Sequence, residues 1–75
     1  MELKDFVANF AEQFEETDST LFTLDTEFKK LEEWSSLHSL MLIAMIDSEY
    51  NVVISGDDIV KSKTIGDLYK IVNER

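Results

Sequence analysis

The sequence predicts an all-α fold: a small four-helix bundle of three main helices and one short helix, with a long ordered loop between helices 1 and 2. Apolar side chains recur at helical spacing in separate segments, which is typical of amphipathic helices rather than of alternating strands. Serine or threonine start signals precede three of these segments. At 75 residues the chain is expected to be a single domain, residues 1–75, that buries about 60% of its unfolded surface.

The first segment predicts an amphipathic helix over residues 2–15. Its large apolar side chains share one face and polar residues lie between them. The apolar positions are Leu3, Phe6, Val7, Phe10 and Phe14. We expect this aromatic stripe to face the core.

The connection that follows, as far as Ser35, has no convincing helical or strand periodicity. A structureless connection of this length is uncommon in a compact domain. Because it carries large apolar side chains, we expect an ordered loop that they pin across the bundle, with a short turn near Thr26–Leu31. The expected anchors are Leu21, Phe22, Leu24, Phe28, Leu31 and Trp34.

The most apolar segment predicts the central helix, from Ser36 to Glu49. Two serines precede the apolar run 40–46, and a serine hydroxyl accepts N–H groups that the first helical turn leaves unpaired. The run contains neither glycine nor proline and is rich in strong helix formers. A helix that is apolar on most sides belongs in the middle of a bundle, although its serine-bearing end must face water.

Two further start signals predict the last helices. Ser55 and Asp58 have the S-x-x-D spacing that opens a helix, here a short one of a turn or two. Thr64 and Asp67 repeat the signal before a final amphipathic helix, which Gly66 weakens slightly. The inward positions of that helix are Ile65, Leu68, Ile71 and Val72.

The composition restricts the classes of partner. Sixteen acidic and seven basic residues give a formal charge of −9, which argues against nucleic acid and for partners with basic surfaces. The absence of cysteine excludes disulfides and thiolate metal sites. The apolar run is too short to span a bilayer and nothing resembles a signal peptide, so we expect no membrane insertion and a cytoplasmic setting.

No catalytic apparatus is recognisable. His38 lies two residues from Ser36, and side chains two apart on a helix do not face each other. We therefore expect His38 to be exposed to solvent and without a catalytic role. Asp57 and Asp58 lack the register of a calcium-binding loop. The sequence predicts that the protein is not an enzyme.

The paired serines have two interpretations. Ser35 and Ser36 can be ordinary helix caps, or one of them can carry a phosphate, which the N–H groups and partial positive charge of a helix start stabilise. Met41 and Met45 likewise have two interpretations, because methionines pack cores and also make deformable contacts with an apolar cargo.

The stretch from Ser36-Leu37 through the apolar helix to the acidic and aromatic residues 47–50 resembles the Asp-Ser-Leu site of acyl carrier proteins. The resemblance extends over most of the chain, and the chain is similar to stand-alone carriers that have a tryptophan, here Trp34, before the site. Further similar positions are Phe28, Leu31, Val53, Ile54, Ser55, Thr64 and Ile65. The resemblance implies that 4′-phosphopantetheine from coenzyme A is esterified to Ser36 and that its thiol holds acyl groups as thioesters.

Two positions depart from the family pattern. Ser35 stands where the family usually has aspartate, so a cap remains but a negative charge is lost. Met41 stands where many carriers have an acid, which indicates a more apolar partner surface.

The resemblance also implies partners. They are a phosphopantetheinyl transferase and an acyl- or aminoacyl-activating ligase, synthase or transferase with a basic docking surface, acting in fatty acid, polyketide or related biosynthesis. The carrier is expected to be a monomer. Its expected docking residues are Ser35, Leu37, Met41, Asp47, Glu49, Asp57 and Asp58. The alternatives are an aminoacyl or peptidyl carrier and an unmodified acidic interaction domain.

Overall fold

The computed structural model describes residues 2–75, and these form four α-helices without a strand. The helices are α1 Leu3–Ala11, α2 Ser36–Tyr50, α3 Gly56–Lys61 and α4 Ile65–Asn73. Two single-turn 3₁₀ helices, Ser19–Leu21 and Phe28–Lys30, lie in the loop between α1 and α2. The predicted all-α bundle with three main helices, one short helix and a long loop is confirmed. None of the helices within residues 2–75 is long and apolar enough to cross a bilayer.

Helix α1 ends at Ala11, so its predicted extension to residue 15 was wrong. The Gln13 N–H donates to the Phe10 carbonyl and the Phe14 N–H to the Ala11 carbonyl, at 3.1 and 3.0 Å. These bonds span three residues instead of four and wind the chain more tightly than an α-helix. The tighter turn still leaves Phe14 in the core, where it is 4% exposed.

Aromatic rings fill the middle of the bundle. Phe10 is fully buried and its ring contacts those of Phe14, Phe22 and Phe28, with centroids 5.1 to 6.1 Å apart. Such ring pairs stabilise a fold beyond the apolar area that they bury. The other core side chains are Phe6, Leu42, Met45, Ile46, Ile54, Ile59, Ile65, Leu68 and Val72.

The long loop is ordered, but only some of its expected anchors are buried. Phe22 and Phe28 are 6% and 0% exposed, as predicted. Leu21 and Leu24 are 58% and 37% exposed, so their assignment as anchors was wrong. The loop backbone makes the attachment near Leu24 instead, because its carbonyl accepts a hydrogen bond from the Gly66 N–H at 2.9 Å.

The close contact with the Leu24 carbonyl explains why residue 66 is a glycine. A Cβ atom at this position would lie 3.1 Å from the Leu24 carbonyl oxygen. Glycine therefore lets the loop backbone approach the first turn of α4 closely. The Ile65 N–H donates to the Thr26 carbonyl at 3.1 Å beside it, so the loop and α4 are joined by two backbone hydrogen bonds.

The helix ends match most of the sequence signals. Ser55 with Asp58 and Thr64 with Asp67 each form the reciprocal pair of capping hydrogen bonds that the S/T-x-x-D spacing predicts. Helix α2 continues one residue past the predicted end. It stops where Asn51 adopts a left-handed conformation, φ 56°.

Candidate functional site at the start of the central helix

Ser36 is the first residue of α2 and is exposed. Ser35 precedes it in an extended conformation at the N-cap, and its side chain makes no capping hydrogen bond to the helix. The capping serine and threonine of α3 and α4 do make that bond. Because the first N–H groups of a helix have no acceptor within it, the start of α2 can still receive an anionic group.

His38 is buried, so the expectation that it faces solvent was wrong. Its exposed fraction is 8%, and its ring stacks on Phe14 with centroids 4.5 Å apart. Two residues along an α-helix correspond to a rotation of about 200°, which places His38 on the opposite side from Ser36. The imidazole of His38 therefore lies on the side of α2 that faces the core.

The buried imidazole connects Ser35 to a carboxylate in the preceding loop. The Ser35 Oγ lies 3.0 Å from His38 Nδ1, and His38 Nε2 lies 3.5 Å from Glu33 Oε2. The other Glu33 oxygen accepts hydrogen bonds from Thr17 Oγ1 at 2.7 Å and from the Glu16 N–H at 3.1 Å. Serine, imidazole and carboxylate thus form one connected set, which we call the Glu33–His38–Ser35 network.

Sequence reasoning considered Ser36 as the partner of His38 and missed this network. Ser35 and His38 are three residues apart, a spacing at which side chains of a helix meet, and that was the available signal. The contact between Glu33 and His38 depends on the path of the loop, so local spacing in the sequence does not predict it. Desolvation acts to raise the pKa of Glu33, but the bonds from Thr17 and Glu16, with His38 opposite, hold it below its ordinary value overall.

The outer face of α2 carries an exposed apolar stripe that begins beside Ser36. Leu37 and Leu40 are 60% and 64% exposed, and Leu40 was not among the expected docking residues. Asp47 is also exposed. In an α-helix it lies about 16 Å from Ser36 along the helix axis and is rotated by only about 20° from Ser36 around that axis. An apolar patch with an acid at its far end therefore extends from the serine along one side of the helix.

The two methionines of α2 differ in position. Met45 is 8% exposed and belongs to the core. Met41 is half-buried and lines a surface pocket of about 420 Å³ beside Leu37. The rest of that pocket is formed by Gln13, Glu15, Glu16, Glu33 and His38.

The remaining acids of the expected docking set are in different environments. Glu49 is exposed at the end of α2, and exposed Asp57 lies 3.2 Å from Lys61. Asp58 is only 6% exposed, and its two carboxylate oxygens each accept a hydrogen bond from Arg75 at 2.8 Å. Its charge is thus balanced inside the molecule.

The basic residues are concentrated elsewhere. A second pocket, of about 250 Å³, is lined by four of the seven basic residues of the chain, namely Lys29, Lys30, Lys61 and Lys63. Lys29 Nζ donates to the carbonyls of Ile59 and Val60 at the end of α3, at 3.2 and 2.8 Å. Within residues 2–75, no cluster of three or more histidine, aspartate or glutamate side chains could hold a metal ion.

The fold and the site define a small acidic helical bundle that presents an exposed serine at the first position of its central helix. The chain is 33% identical over 58 residues to the acyl carrier proteins of Rickettsia massiliae (strain Mtu5) and Rickettsia prowazekii (strain Madrid E). The match covers 77% of this chain and 67% of each relative. No protein-family model and no solved structure matches the chain. The chain belongs to the acyl carrier protein family.

Proposed function

We propose that the protein holds an acyl group as a thioester on a 4′-phosphopantetheine arm attached to Ser36. It shuttles that group between enzymes of fatty acid, polyketide or related biosynthesis, in the cytoplasm. The observation that carries the proposal is the exposed Ser36 at the first position of the central helix of an acyl carrier family member. The protein is not itself an enzyme, because its hydroxyl is the substrate of a separate transferase.

The residues at the start of α2 fit such an arm. The Ser36 hydroxyl is accessible, and the side chain of Ser35 does not occupy the N–H groups of the first turn. Those groups and the positive end of the helix dipole favour the negative charge of a phosphodiester. The thiol at the far end of the arm supplies the chemistry, since it forms the thioester that holds the cargo.

The docking surface that we propose lies on the outer face of α2. Leu37 and Leu40 supply exposed apolar area beside Ser36, and Asp47 supplies charge on the same side. The transferase and the enzymes that load or receive the cargo would accordingly present arginine or lysine around an apolar patch. Association of this kind is fast, weak and sensitive to salt, as a shuttle requires.

Site-specific modification tests the proposal. Incubation with coenzyme A, magnesium and a phosphopantetheinyl transferase should add one phosphopantetheine, measured by intact-protein mass, and Ser36→Ala should abolish the addition. Ser35→Ala is the matched control and should still be modified, because that side chain makes no capping bond.

Two outcomes would contradict the proposal. A label mapped to Ser35 by peptide mass spectrometry would move the attachment site. Failure of several transferases on the native protein and on Ser35→Asp would instead support an unmodified acidic interaction domain.

A further inference from the structure

The pocket at the end of α3 gathers positive charge on an otherwise acidic molecule. It lies between the 3₁₀ helix Phe28–Lys30 and the segment that joins α3 to α4, and none of the residues that line it belongs to α2. Its volume of about 250 Å³ is just below the range typical of drug-sized ligands, so it suits a smaller group. We call it the lysine pocket, after Lys29, Lys30, Lys61 and Lys63, which line it together with Glu27 and Val60.

Lys29 is half-buried and is fixed in the wall of this pocket. Its Nζ donates to the carbonyls of Ile59 and Val60, at 3.2 and 2.8 Å. These carbonyls belong to the last turn of α3, whose partial negative charge would by itself repel an anion. The ammonium group of Lys29 offsets that charge. Because an ammonium group has three N–H donors, one of them is left for a ligand.

The other three lysines are exposed and only partly neutralised. The side chains of Lys30 and Lys63 are 76% and 74% exposed, and both approach one carboxylate, that of Glu27, at 3.3 and 3.8 Å. Lys61 is paired with Asp57 at 3.2 Å. Four lysines therefore face two carboxylates, which leaves two positive charges at a pocket of a protein whose net charge is −9. Exposed ion pairs of this kind are weak, so the lysines can exchange their partners for another anion.

We propose that the lysine pocket binds a small phosphate-bearing anion. A phosphate group on an ester presents three strong acceptor oxygens and a charge of about −1.5 to −2 at pH 7, which matches the excess of two positive charges. Lysine binds phosphate as a point charge, so several lysines can share one phosphate group. A carboxylate of a partner protein offers only two oxygens and a single charge. The site goes beyond the proposed function, because it requires no modification of Ser36.

Val60 indicates how an organic phosphate would lie in the pocket. Its side chain is 71% exposed, although it stands among the lysines. A phosphate ester can place its phosphate against the ammonium groups and an apolar part of its organic group against Val60. Free phosphate and phosphate esters thus share the charged contacts, and only the esters gain from the apolar contact.

NMR of the unmodified protein with inorganic pyrophosphate measures binding at the pocket. The buffer contains no magnesium, and its ionic strength is held constant with sodium chloride. The ε-methylene signals of the four pocket lysines should shift and saturate in the millimolar range, as a few exposed charge contacts allow. The signals of Lys4 and Lys70, which do not line the pocket, should move little. Sodium sulfate at the same ionic strength should give smaller shifts.

Two pairs of charge-matched variants test the contacts. Lys63→Gln should weaken pyrophosphate binding about fivefold, as loss of one exposed charge contact predicts, whereas Lys4→Gln should leave it nearly unchanged. Both lysines are exposed, so the fold should persist in each variant. Glu27→Gln removes the carboxylate that competes for Lys30 and Lys63 and should strengthen binding. Glu49→Gln makes the same charge change at the exposed end of α2 and should strengthen it much less.

A comparison of ligands identifies the source of the phosphate. Tighter binding of ADP or geranyl diphosphate than of pyrophosphate, with loss of that advantage in Val60→Ser, would support the site and assign it to an organic phosphate. Tightest binding of pyrophosphate, unaffected by Val60→Ser, would support the site and assign it to free phosphate.

Three results would overturn the inference and leave the proposed function untouched, since the protein in these experiments is unmodified. The first is an equal response of all six lysines, or an equal response to sulfate and pyrophosphate. The second is equal weakening by Lys63→Gln and Lys4→Gln. The third is a shift of the pocket lysines by a glutamate-rich peptide but not by pyrophosphate, which would assign the pocket to an acidic protein surface.

Discussion

Asp58 is a carboxylate whose surroundings keep it charged at the edge of the core. Hydrogen bonds from Arg75, and next the Ser55 backbone N–H, lower its pKa to about 2. The same carboxylate closes the capping box of α3, so one side chain fixes both the start of a helix and the position of Arg75. It was expected to face partners, but the structure engages it internally.

At the residue scale, we predict that Arg75→Gln lowers the melting temperature at neutral pH by about 5 °C. Because the folded pKa of Asp58 lies below its unfolded value of about 3.9, this stabilisation is present above that value and is lost as the pH falls through about 2. The difference in melting temperature between variant and native protein should therefore shrink as the pH falls from about 3.9 to about 2. Thermal unfolding followed by circular dichroism measures it. Lys70→Gln, with the same charge change at an exposed site of α4, should show little difference at any pH. Equal effects of the two substitutions would contradict a specific role for the pair.

At the element scale, helix α2 combines a buried side with an outer side that lacks basic residues. Asp47 lies on the side of Ser36, whereas Glu49 is about 140° away around the helix, although both are exposed. The two acids therefore offer a matched pair for testing which side of α2 meets a partner enzyme.

We predict that Asp47→Lys slows transfer of the cargo to a partner enzyme about threefold at low salt, through a reduced association rate. Glu49→Lys should have a much smaller effect, because its charge lies away from the arm. The quantity to measure is the transfer rate from the modified protein at two salt concentrations, since screening should reduce the effect of Asp47→Lys. Leu40→Ser should slow transfer at both salt concentrations. Rates that respond equally to the two charge reversals, and not to Leu40→Ser, would place the docking surface elsewhere.

At the scale of the whole molecule, acidic charge greatly exceeds basic charge. Sixteen acids face seven bases, and several of the ion pairs are exposed, such as Lys61 with Asp57 and Lys30 with Glu27. Exposed pairs of this kind contribute little to stability. Folding brings the unpaired negative charges together, so net repulsion opposes it.

We predict that sodium chloride raises the melting temperature by a few degrees between low and moderate concentration, because 0.1 M salt screens charges over about 10 Å. Near pH 4.3, the isoelectric point, the same salt should have little effect since the net charge vanishes. Differential scanning fluorimetry at neutral pH and near pH 4.3 measures how the melting temperature changes with salt. A melting temperature that is flat or falls at neutral pH would show that local ion pairs dominate.

The sequence by itself determined those features that depend on neighbours along the chain. The starts of α3 and α4 follow from capping side chains three residues apart, and the existence of α1 and α4 follows from apolar periodicity. The position of Ser36 at the start of α2 is local in the same sense, and so is the net charge. These signals need no knowledge of what packs against them.

The tertiary structure decided which side of α2 is covered and which residues of the long loop are buried. Helix α2 is apolar almost all round, so its sequence does not distinguish buried Leu42 from exposed Leu40; only the positions of α1, α3 and the loop do. The burial of His38 and its contact with Glu33 likewise depend on a loop that has no periodicity. Asp58 is internal because Arg75, seventeen residues away, folds back onto it. In these three cases burial and ion pairing are set by residues distant in sequence, which local spacing does not reveal.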